Sequence, residues 1–371
     1  MSDAGAATPA GRSAKTTRIE FLDGLRCFAI LPVVLFHYFV RWASPNYQHS
    51  LYPYENLFAD WTAFKYGFLG VELFFIISGF VIAMTLERCR TPREFAARRY
   101  ARLAPAMIIF SLVTYFVETL VPSSPFYRTP VSFLSSLTFI EPRLLNQVFH
   151  TDAFNTIDGV YWSLFIEVKF YVLAAILYFG ASGRLVSGIA LLSIVAIGLN
   201  LYHVPVASAL GALLLFPEYL PWFVMGIGFF RWHKDGMASG GWRLVLLGVT
   251  EIAILAVHEH SPSQVGAAVV LPLFFLASLQ LPTLQRLLSW RPLVLIGTSS
   301  YGFYLLHQDV GVTLLHALPA YFHERPLVGA LAALLLIAAL AIVARLSFVF
   351  IEQRASAVLL RALLPPRPAH P

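Results

Sequence analysis

Long, nearly uninterrupted apolar runs constrain this chain more than any other feature. The first covers Phe21 to Val40 and reads FLDGLRCFAILPVVLFHYFV. A helix rises about 1.5 Å per residue, so a run of about 20 residues crosses a ~30 Å hydrocarbon layer. Comparable runs predict helices over 24–42, 67–87, 103–121, 159–179, 185–202, 213–231, 242–257, 265–281, 293–316 and 327–351. They are continuous rather than alternating, which excludes an outer-membrane barrel. The chain is 58% hydrophobic and 12% charged, against about 25% charged for a soluble domain. The expected fold is therefore an all-α integral membrane protein, a bundle of about ten transmembrane helices. Pro217 and Pro221 are expected to break the sixth.

Charge placement sets the expected orientation. Arg88, Arg90, Arg93, Arg98, Arg99 and Arg102 crowd one loop, on the same side as Arg12, Lys15 and Arg18. The opposite side holds only Arg41, Lys65, Arg128, Arg143 and Arg325. The positive-inside rule then puts both termini in the cytoplasm, N-in and C-in. Residues 1–17 are expected to be a disordered cytoplasmic segment without a cleavable signal, 18–355 a membrane domain, and 356–371 a short cytoplasmic tail. A short apolar piece, Phe133 to Ile140, is too short to span. Cys27 and Cys89 lie toward the cytoplasmic side and are expected to be unpaired small apolar residues. His203, His258, His260, His316 and His323 fall near loops and are expected on the surface.

Ionisable residues inside apolar helices are costly and mark sites. Arg26 and His37 stand eleven residues apart in the first run. Eleven residues make about three turns and ~16 Å of rise, so both share one stripe, one near a surface and one near mid-membrane. Pro32, between them, is expected to bend or loosen the helix. An imidazole takes a proton from a hydroxyl near neutral pH, and a fixed cation three turns away suits an anionic group on the same ligand. Arg99 and Arg102 lie one turn apart at the entry to the third helix. Guanidinium groups suit phosphate, on a cytoplasmic ligand or on anionic lipid headgroups. Glu72 and Glu167 are carboxylates within apolar runs, and Lys169 is too close in sequence to face Glu167, which needs a partner from another helix. Tyr301, Tyr304 and His307 recur every third residue and share a stripe. No spacing suggests a metal site.

These segments together resemble the acyltransferase 3 family of ten-helix membrane O-acyltransferases, over about residues 18–355. Arg26 and His37 match its Arg-x10-His signature, GVELFFIISGFVI its second-helix motif with Glu72, and Arg99-Tyr-Ala-Arg102 its Arg-x-x-Arg motif. YWSLFIEVKFY matches its Trp-Ser-Leu-x-x-Glu segment through Trp162, Ser163, Glu167 and Tyr171, and SYGFYLLH a late segment with Tyr301, Tyr304 and His307. One departure is IEQRAS, which keeps Glu352 but has Arg354 where the family's final pattern has Pro. Another is that no esterase-like domain is expected after the membrane domain.

The resemblance implies transfer of an acyl group, most often acetyl, from cytoplasmic acyl-CoA to a hydroxyl of a glycan, lipid-linked sugar or related acceptor. It implies His37 as base or transient acyl carrier, with Glu167 or Glu72 orienting it. Arg26, Arg99 and Arg102 would hold the donor, and Trp162, Ser163, Tyr301, Tyr304 and His307 would line the substrate. The expected location is the inner (plasma) membrane, with lipids as neighbours and no nucleic acid. A homo-oligomer or a separate transfer partner is left open. The alternative from another class is an exporter of a sugar or small anion, since buried charges in a many-helix bundle suit both.

Overall fold

The computed structural model describes residues 19–43, 57–126, 128–180, 184–202 and 215–364. The expected disordered segment 1–17, His203 and the Pro-rich end from 365 lie outside the described residues. All regular structure among the described residues is helical. Among the described residues seven helices are long and apolar enough to cross a membrane: Glu20–Arg41, Gly67–Arg88, Pro92–Leu120, Gly159–Gly180, Gly241–His258, Pro262–Gln280 and Pro326–Leu363. The protein is thus a multi-pass membrane protein. Three further helical stretches occupy the other expected positions: Leu185–Leu201, Leu220–Asp235 and a segmented run between 291 and 316.

The helix from Glu20 sits at the centre, with Leu25, Ile30, Val33 and Val34 fully buried. Pro32 is accommodated inside it, and from His37 to Arg41 the helix widens into a π-type turn in which the Trp42 amide reaches back to the His37 carbonyl, 3.1 Å. Such turns are rare and often lie at sites. Helices 67–88 and 220–235 cross closely. A Cβ on Gly79 would overlap the Phe223 carbonyl, and one on Gly226 the Ile76 carbonyl. Without water to drive apolar association, small residues that let backbones meet hold membrane helices together. Gly226→Leu is expected to cost at least about 1–3 kcal/mol, read as a lower unfolding temperature in detergent. Beside the crossing, Phe170 stacks on Phe223 at 4.1 Å.

The structure departs from the sequence expectation in four places. The third helix starts at Pro92, not near 103, because Thr91 accepts the Glu94 amide (3.1 Å) and Pro92 occupies the first position. This is a strong start signal that a hydropathy window passes over, and it puts Arg99 and Arg102 well inside a helix. Pro221 starts the helix Leu220–Asp235 rather than breaking one. The run 291–316 is three helices, Arg291–Thr298, Ser300–His307 and Asp309–His316, parted at Ser299 and Gln308. The carboxyl-terminal helix continues through a π-type turn at Phe348–Glu352 into Gln353–Leu363, so residues 356–363 of the expected tail are helical. The short piece near Phe133 is the eight-residue helix Pro130–Leu137. Cys27 and Cys89 are free and buried. His258 and His260 are exposed, whereas His316 is half-buried with a buried, unpartnered Nδ1.

Candidate active site

Two cavities meet inside the bundle. The first, about 100 Å³, is lined by Arg26, Arg99, Arg102, Glu167 and Tyr301 among others. The second, about 690 Å³, is lined by His37, Glu72, Trp162, Gln264 and Gln308 among others. Val71 and Tyr304 line both and form the partition between them. Arg26 and His37 come from one helix, yet they face different chambers.

In the arginine chamber, Arg26 Nη1 donates to Asp23 Oδ1 at 2.7 Å. Arg99 Nη2 donates to Thr85 Oγ1 at 3.1 Å and its guanidinium lies over the Tyr171 ring at 5.8 Å. Glu167 Oε1 accepts from both Ser78 Oγ and Tyr171 OH, each at 2.6 Å. The buried Arg99 Nε and Tyr301 OH have no partner. Unsatisfied buried donors are rare and costly, and here they border a cavity.

The partition is tied to the start of the helix 159–180. Tyr304 OH donates to the Val160 carbonyl at 3.0 Å and bonds Ser163 Oγ at 2.8 Å. Trp162 stands on the other side, where it lines the larger cavity with its ring 5.0 Å from that of Tyr219.

The larger chamber holds a histidine pair. His37 Nδ1 lies 2.8 Å from the Val33 carbonyl. A carbonyl only accepts, so this nitrogen carries the proton of the neutral ring and Nε2 carries the lone pair. His307 Nδ1 lies 2.6 Å from the Tyr304 carbonyl, which by the same reasoning leaves its Nε2 as an acceptor, 3.3 Å from His37 Nδ1. His37 therefore has a lone-pair acceptor behind the nitrogen that keeps its proton. No carboxylate among the described residues is hydrogen-bonded to His37. Glu167 is engaged by Ser78 and Tyr171 on the other side of the partition. Glu72 lines the larger cavity, where Gln264 Nε2 donates to its Oε1 at 3.2 Å and its buried Oε2 has no partner. The side-chain group at His37 Nδ1 is His307 Nε2.

The backbone around His307 explains its placement. Tyr38 OH donates to the His307 carbonyl at 2.6 Å, in space that a Cβ on Gly311 would take. The helix break at Gln308 is held by a buried polar cluster absent from the sequence reading. Asp158 Oδ2 accepts the Asp309 amide at 3.0 Å, and its Oδ1 accepts the Val160 amide at 2.9 Å and Gln308 Nε2 at 3.2 Å. Arg128 Nη2 donates to Asp309 Oδ2 at 2.6 Å, Arg128 Nε donates to the Ile157 carbonyl at 2.9 Å, and Glu118 stands 3.6 Å from the same Nε. The serine-rich helix Pro130–Leu137 fixes the approach to Asp158. Ser135 Oγ donates to the Asn155 carbonyl, and Ser136 Oγ accepts the Ile157 amide at 3.1 Å. Burial, then the neighbouring Asp309 carboxylate, pushes the Asp158 carboxyl well above the ordinary range. The only sequence signals were the Asp immediately before the GVYWS segment and the Gln-Asp directly after His307.

Buried charges around a partitioned passage, with a free imidazole nitrogen on one side and arginines on the other, define a polar site within a membrane bundle. The chain belongs to the family described as Acyltransferase domain, which matches residues 19–346. It is similar to the peptidoglycan O-acetyltransferase OatA of Listeria monocytogenes, at 25% identity over 91% of this chain and 56% of the relative. It is also similar to the O-acetyltransferase OatA of Staphylococcus aureus, at 25% identity over 78% of this chain and 50% of the relative. The chain spans about half the length of the curated relatives it matches. No solved structure matches it.

Proposed function

We propose that the protein is a membrane O-acyltransferase that moves an acyl group, acetyl in the first instance, from acyl-CoA to a hydroxyl of a glycan or glycan-linked acceptor. The observation that carries this reading is the histidine pair: His37 presents a neutral ring with Nε2 free, beside a partition whose far side is lined by Arg26, Arg99 and Arg102. The family's description and the glycan acceptor in the Listeria relative's name support the chemistry. The exporter alternative has no comparable support.

The positive-inside rule puts the arginine chamber toward the cytoplasm, the compartment that supplies acyl-CoA. There the guanidinium groups and the orphaned Arg99 Nε and Tyr301 OH receive the donor. The thioester passes between Val71 and Tyr304 and the acceptor enters the larger chamber, where Trp162 and Tyr219 offer ring faces and Glu72 and Gln264 offer hydrogen bonds. His37 Nε2 takes the acceptor's hydroxyl proton while that oxygen adds to the thioester carbonyl. The carbon–sulfur bond then breaks, and the sulfur takes the proton from the imidazolium. An ester and free CoA thiol leave. A second route has Nε2 attack the thioester carbonyl, so that the carbon–sulfur bond breaks and CoA thiolate leaves; the acceptor oxygen then cleaves the acyl-imidazole, its proton passes to the thiolate, and the neutral His37 ring is restored. In either route charge develops on the His37 ring, and His307 Nε2 accepts the Nδ1 proton's hydrogen bond.

A thermal-shift titration separates this reading from the exporter. CoA is expected to raise the unfolding temperature of the purified protein, and no effect of CoA or of longer acyl-CoA thioesters would remove the donor from the account. His307→Phe keeps the ring volume but removes the acceptor. It is expected to lower kcat by about 10- to 100-fold, the value of one hydrogen bond to a charged group, with the KM for acetyl-CoA little changed.

A further inference from the structure

A third cavity, about 480 Å³, opens beside the arginine chamber near the start of the helix 92–120. Arg88, Arg98 and Arg99 line it, with hydroxyls from Thr85 and Ser356 and apolar contacts from Ala101 and Leu360. No acidic side chain lines it. Arg98 pairs with Glu94 at 2.8 Å from outside the cavity, so it is held in place without being fully neutralised. Arg99 belongs to both cavities, and its Nε is buried without a partner. One wall comes from the helix Gln353–Leu363, which carries Ser356 and Leu360 and is tied down where Arg93 Nη2 donates to the Leu363 carbonyl at 3.3 Å. Ordinary inside-facing charge accounts for arginines on this face, but not for three of them around a partly apolar hollow that shares Arg99 with a chamber holding unpartnered donors.

We propose that this hollow holds the nucleotide end of the donor, with the ribose phosphate on Arg88 and Arg98, the diphosphate at Arg99, and the flat base against Ala101 and Leu360. The assignment rests on the acyl-CoA donor proposed above. It follows the order of groups along such a molecule: thioester deepest, diphosphate at the residue shared by the two cavities, ribose phosphate outermost. Guanidinium forks recognise phosphate bidentately. An anionic lipid headgroup carries the same phosphate chemistry and is the competing source.

The test uses calorimetric binding to the full chain in phosphatidylcholine nanodiscs, with CoA and 3′-dephospho-CoA as probes. Wild type is expected to bind CoA about tenfold more tightly than dephospho-CoA. Arg88→Gln/Arg98→Gln is expected to bring CoA down to the dephospho-CoA level, leave dephospho-CoA itself unchanged, and give back part of the preference in Arg88→Lys/Arg98→Lys. Equal binding of the two probes by wild type, or a preference that survives the double glutamine variant, would overturn the assignment and leave the donor in place. Loss of wild-type preference when phosphatidylglycerol is included would hand the arginines to lipid and overturn it too. Failure of both probes to bind would remove the acyl-CoA donor, and this assignment with it.

Discussion

His37→Ala is expected to lower acyl transfer by roughly 10²- to 10⁴-fold, the range for loss of a general acid–base group, and to abolish any acyl group retained on the protein. The substitution removes Nε2 and the Nδ1 contact to Val33, but the neighbouring backbone contacts, including the Tyr38–His307 bond, do not depend on the ring. The fold and CoA binding are therefore expected to persist, because the residues that face the donor lie across the Val71–Tyr304 partition. The loss should appear in kcat, with the CoA dissociation constant unchanged. A variant that keeps full turnover would remove His37 from the chemistry under either route.

Arg128→Ala is expected to cause the largest loss of stability, about 3 kcal/mol or more. Removing one partner of a buried ion pair strands the other. Arg128 serves Asp309, Glu118 and the Ile157 carbonyl at once. Without it, Asp309 and Glu118 lose their cation in a region where both side chains are almost wholly buried. The break at Gln308 would loosen, and His307 with it, so unfolding temperature and turnover should fall together. Asp309→Asn in the same background removes one stranded charge and is expected to recover part of the unfolding temperature. An Arg128→Ala protein as stable as wild type would mean that the cluster does not hold the break.

The part of this arrangement legible in the sequence is the part written locally. Arg26 and His37 share one helix, so their spacing predicts that both point inward, and the apolar runs locate most helices because length and hydropathy decide membrane insertion. The start of the third helix was also written locally, in Thr91-Pro92-Arg93-Glu94, but it is a capping signal that hydropathy does not register. What stayed hidden depends on distant pairs. His37 meets His307 across 270 positions, and nothing near either residue names the other. An imidazole or arginine from another helix was the natural expectation for Glu167, since Lys169 is too close in sequence to face it, yet Ser78 and Tyr171 hold its Oε1 in the arginine chamber. Asp158 and Asp309 did not stand out in the sequence, and Arg128 counted only as an outside-facing charge, because their burial together depends on the serine-rich helix 130–137 and the break at Gln308, neither of which hydropathy predicts.

The central claim is that the donor's phosphates and the imidazole lie on opposite sides of the Val71–Tyr304 partition, with the donor entering from the arginine side. It is tested most directly in proteoliposomes sorted by orientation, with acetyl-CoA supplied only outside and free CoA thiol measured over time. Release is expected from vesicles with the Arg88–Arg102 face outward, not from those with it inward, and not from His37→Ala in either orientation. Release from the opposite face, or equal release by His37→Ala, would contradict the account.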